Sequence, residues 1–208
     1  MNRPVFFAVL AVALIGLAGG SDAGVIVYTT DLSGPNESPP NVSPGTGFAE
    51  VDFDNVAQTL HVHVTFSGLL GTTTASHIHA ATAVPGTGKA GVATTTPNFS
   101  GFPLGVTVGT YDNTLDLTLA SSYNPAYVTA HGGTPAGAES ALVASLAAGT
   151  SYLNIHTTAF PGGEIRGFLE PVSTPEPATL VTIVIGALVA VPFLRKRAAQ
   201  AHRLSQSA

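Results

Sequence analysis

Apolar and polar residues alternate with a period of two through much of residues 24–173, the mark of strands with one buried and one wet face. In residues 47–54, Ala49, Val51 and Phe53 share one face while Glu50, Asp52 and Asp54 share the other; in residues 59–66, Leu60, Val62, Val64 and Phe66 point inward. Asp54 and Asn55 supply a turn, so the two segments predict an antiparallel hairpin. Residues 25–30, rich in β-branched side chains, predict a first strand. Residues 31–46 hold Pro35, Pro39, Pro40 and Pro44 and predict a loop, because proline fixes the backbone and removes a donor. Residues 75–80 predict a strand with His77 and His79 on one face and Ile78 on the other. Further strands are predicted at 104–108, at 114–120 with Leu115, Leu117 and Leu119 alternating, and at 152–158 and 164–170, the last two forming a hairpin. Residues 121–135 read as irregular, and residues 136–148 as one short helix stopped by Gly149. Together these predict an all-β fold, an antiparallel β-sandwich of about seven or eight strands with one short helix.

The two ends follow a different pattern. Residues 1–23 hold one early base, Arg3, then an apolar run over residues 5–17, then small residues, with Ser21 and Ala23 placed for a cut before Gly24. This predicts a secretory signal peptide; an uncleaved N-terminal anchor is the alternative. At the other end Pro175, Glu176 and Pro177 precede an uncharged run over residues 178–194, closed by Arg195, Lys196 and Arg197. As a helix that run would be about 25 Å long, just enough to cross a bilayer core, and the basic cluster orients residues 198–208 to the cytoplasm. The order of Pro-Glu-Pro, short span and basic tail resembles the PEP-CTERM sorting signal of Gram-negative bacteria. The resemblance covers residues 174–197 and implies an exosortase-type membrane protease as processing partner and the cell surface or exopolysaccharide matrix as destination. A plain membrane anchor is the alternative.

Charge changes the picture once the ends are set aside. The whole chain has a formal net charge of −5, yet residues 24–173 hold ten acids and two bases, a net of −8. So acidic a body excludes nucleic acid as a partner, since phosphates are met by clustered Lys and Arg. The absence of cysteine leaves an exported domain to be held by its core, or by a core and a metal.

The candidate chemistry is histidine chemistry. His77 and His79 share a strand face, His156 lies on a strand that could sit beside theirs, and three neutral imidazoles could converge on copper or zinc. His131, in a glycine-rich loop, is a possible fourth ligand. The alternative is structural: imidazoles bonded to backbone, Asn154 or Thr157. His61 and His63 form a second His-x-His, expected on the wet face beside Glu50 and Asp52. Glu164 and Arg166 share a strand face and predict an ion pair or cross-strand contact. No catalytic residue is indicated: carboxylates at a hydrolytic spacing and a Gly-x-Ser-x-Gly turn are both lacking.

His77-Ile-His79, Gly86-x-Gly88, the segment from Gly149 through His156, and Gly162-Gly-Glu-Ile-Arg-Gly167, in that order, resemble a CHRD domain, the module named from chordin and found also in bacterial exported proteins. The resemblance covers roughly residues 25–170 and implies a β-sandwich with a non-enzymatic binding or structural role. The His-x-His strand followed by a glycine-rich loop also resembles, locally, copper/zinc superoxide dismutase, which makes an envelope copper or zinc protein the alternative function.

Overall fold

The computed structural model describes residues 24–172. The predicted signal peptide, sorting signal, membrane span and tail lie outside these residues. Eight strands are present: β1 (Val25–Ser33), β2 (Thr46–Asp54), β3 (Thr59–Ser67), β4 (Thr73–His79), β5 (Gly109–Asp116), β6 (Tyr152–Thr157), β7 (Ile165–Phe168) and the short β8 (Glu170–Pro171). A 3-10 turn (Ala120–Ser122) and two α-helices, α1 (Pro125–Ala130) and α2 (Pro135–Ala147), fall between β5 and β6.

The hairpin predicted from alternation forms as β2 and β3, in a register that sets Asp52 opposite His61 and Glu50 opposite His63. Ala49, Val51, Phe53, Leu60, Val62, Val64 and Phe66 are all buried, as the period of two requires. The strands join into one hydrogen-bonded antiparallel sheet in the order β4-β6-β7-β1-β2-β3-β5, with β8 beside β1. The two sheets of the expected sandwich are therefore two arms of a single curled sheet. The seam is narrow: β1 and β7 share one register pair, Ser33 with Arg166. The arms enclose one core, in which Val51 and Val62 meet Ile78, Leu153, Ile155 and Ile165 in the same cluster.

Two stretches depart from the predicted elements. Residues 104–108 are not a strand; Gly105 takes φ +76, Leu104 and Val108 are exposed, and pairing starts only at Gly109. Strand β5 then ends at Asp116, whose carboxylate accepts the Thr118 N–H and turns the chain, leaving Leu119 exposed. Residues 121–135, predicted irregular, contain α1. Asn124 caps it by accepting the Ala126 N–H, Pro125 opens it, and Thr134 and Pro135 repeat the device for α2.

Candidate metal centre

Strand β4 is an edge strand whose Ile78 enters the core, so His77 and His79 must project from the opposite face. On β6 the same rule sends Leu153 and Ile155 inward and puts Tyr152, Asn154 and His156 on the histidine face. The antiparallel register pairs His77 with Asn154, His79 with Tyr152 and Ala75 with His156. The histidine face is largely shielded from water, because the chain after β4 folds back over it. Ala80 donates to the Gly91 carbonyl, Ala93 to that of Ile78, and Phe99 to that of Ser76. His77 and His79 are 6% and 8% exposed, and His156 is half-buried.

The rings converge. His77 lies 4.6 Å from His79 and 4.8 Å from His156 between ring centres. One ligand atom from each of the three falls within 4.8 Å of the others. The fixed orientation comes from backbone carbonyls: Nδ1 of His77 meets the Pro97 oxygen at 3.3 Å, Nδ1 of His79 that of Ala90 at 2.9 Å, and Nδ1 of His156 that of Pro161 at 2.8 Å. A carbonyl oxygen only accepts, so each Nδ1 carries the proton and each neutral ring presents Nε2 as a bare lone pair.

That tautomer creates a conflict inside the cluster. Nε2 of His77 and Nε2 of His156 are 3.0 Å apart, and with both protons held at Nδ1 neither nitrogen has one to donate. Nε2 of His79 is buried with no hydrogen-bond partner. Protonation of a ring would relieve the repulsion, but the site resists it. Burial, then the neighbouring His79 and His156, pushes His77 down to about 3; burial, with His156 and Arg166, pushes His79 down to about 4; burial lowers His156 as well. A cation shared by three Nε2 atoms would satisfy all of them at once.

The chain belongs to the CHRD domain family. The family's match covers residues 28–169, all of the curled sheet but the first three residues of β1 and the short β8. No curated protein and no solved structure matches the chain.

Within this CHRD domain the other candidate residues are engaged separately. His131 donates from Nδ1 to the Tyr127 carbonyl at 2.8 Å and lies against the Tyr127 ring at the end of α1, outside the three-histidine group. His61 and His63 sit on the outer face of β3, where Asp112 of β5 bonds both and Asp52 bonds His61. Glu164 and Arg166 do not pair with each other. Glu164 is buried; burial alone would raise its carboxyl, but hydrogen bonds from Ser43, Thr157 and the N–H groups of Leu70 and Gly71 hold it below the usual range. Arg166 points across β7, donates to the Asn36 and Gly88 carbonyls, and lies 3.9 Å from Glu37.

Sequence reasoning missed two parts of this centre. The orienting carbonyls of Ala90, Pro97 and Pro161 leave no trace in side-chain chemistry. Tyr152, stacked on His79 at 4.6 Å with 7° between planes, was reachable, since residues 152, 154 and 156 share a face.

Proposed function

We propose that this protein is exported, sorted to the cell surface or matrix through its PEP-CTERM-like end with the help of an exosortase-type protease, and serves there as a non-enzymatic binding module whose ligand is a copper or zinc ion. The observation that carries the metal reading is the trio of Nδ1–carbonyl bonds, which leaves an unprotonated Nε2 on each of three clustered rings. Orientation of each ligand imidazole by a hydrogen bond from its other nitrogen is how metal-binding histidines are held. The export reading rests on the two apolar ends and the motif at Pro175, Glu176 and Pro177.

A structural role for the histidines is the competing reading, and the same three bonds favour it, since they tie the covering loops to β4 and β6. Metal-dependent stability separates the two. An ion that binds only the folded form stabilises it by about 2.7 kcal/mol at a concentration of 100 Kd. The full chain in mild detergent should show a rise in thermal midpoint with copper or zinc, and His77→Ala and His156→Ala should abolish that rise. Equal midpoints with and without either ion in the unaltered chain would favour the structural role.

A further inference from the structure

Among the described residues, the only non-histidine charge that acts on the three imidazoles is the guanidinium of Arg166. Among the described residues, the convergent group contains histidines and no carboxylate. Arg166 lies over the ring of Tyr152, 4.6 Å from its centre, and Tyr152 stacks on His79, so a fixed guanidinium sits one ring away from the site. Of the buried acids of this arm, Glu164 is held by four donors, while Glu37 lies 3.9 Å from Arg166, where burial pushes its carboxyl up toward the neutral form.

Charge therefore discriminates between ions that imidazole alone accepts alike. On three neutral ligands a divalent ion keeps two uncompensated charges, and the cost of removing an ion from water grows as the square of its charge. Zinc also completes a tetrahedron, taking a fourth ligand from water or an anion. A cuprous ion keeps one charge and is satisfied by three ligands. We infer that the centre selects cuprous copper over zinc, held by Nε2 of His77, His79 and His156, with the guanidinium of Arg166 opposing the divalent ion. This inference rests on the reading that the three histidines bind a metal at all.

The test uses the full chain, stripped of metal and titrated without oxygen: Cu(I) against bicinchoninate, and Zn(II) against a chromophoric zinc chelator. The expected result is one equivalent of Cu(I), bound tighter than zinc by roughly tenfold or more, and lost in His156→Ala. X-ray absorption of the loaded chain should show three nitrogen neighbours. Replacing the guanidinium, as in Arg166→Gln, should narrow the gap by strengthening zinc binding more than Cu(I) binding, with circular dichroism confirming the fold. Zinc bound as tightly as Cu(I) or more tightly, and lost in His156→Ala, would overturn the selectivity and leave the metal site standing. Failure to take up either ion would overturn both.

Discussion

His77 and His79 illustrate how a side chain can be present in a sequence while its chemistry is not. Their pairing on one face follows from the period of two, but their protonation state follows from burial beneath the loop that covers β4. With His77 held down to about 3 and His79 to about 4, protons compete poorly for these nitrogens at mild acidity. A loaded chain should therefore keep its metal at pH 5, where an exposed imidazole is mostly protonated, and release it only as the pH falls toward 4. Metal retained after desalting across this range checks the point; release centred near pH 6.5 would contradict it.

Glu37 shows the opposite shift. Burial outweighs Arg166 and holds its carboxyl up at about 7 against an ordinary 4.5. Between those values the folded chain keeps a proton that the unfolded chain gives up, so stability from this group is full below about 4.5 and falls as the pH rises to about 7. Glu37→Gln should thus be more favourable to stability at pH 8 than at pH 5, relative to the parent, in urea unfolding. An unchanged difference between the two pH values would contradict this.

Elements were legible where a single periodicity spoke, as in β2 and β3, whose inward and outward faces are those the alternation predicts. They were not where local turn chemistry overrode it. Leu115, Leu117 and Leu119 alternate, yet only the first lies in β5, because Asp116 turns the chain. Residues 109–113 pair with β3 although Gly109, Asp112 and Asn113 are poor strand formers, since the partner strand supplies the register. The β6–β7 hairpin owes its closing motif to space. At Gly163, φ is +125, and a Cβ would lie 2.6 Å from the Asn154 amide. A Cβ at Gly167 would overlap Thr30 Oγ1 and the Asp31 carbonyl of β1. Gly167→Ala should cost about 1–3 kcal/mol in urea unfolding by forcing β7 off β1 at the seam; a loss within error of zero would show that the seam yields freely.

For the whole molecule, the sequence carried most of the strand inventory but not the joining of the arms. Whether β7 meets β1 is decided by one pair, Ser33 with Arg166, and no pattern in either strand announces it. The site was legible as a list of residues, His77, His79 and His156, because each lies in a strand of clear phase. It was not legible as a geometry, because the orienting carbonyls come from loops whose path depends on the finished sheet. His131 was drawn into the list by its glycine neighbours and is held instead at the end of α1.

The central claim, that the three Nε2 atoms share a metal ion, is met most directly by elemental analysis of the full chain, purified without chelator or affinity histidines, beside His77→Ala, His79→Ala and His156→Ala. The account predicts close to one equivalent of copper or zinc in the unaltered chain and a trace in each variant. A chain that emerges without metal and takes up neither ion on addition would contradict it.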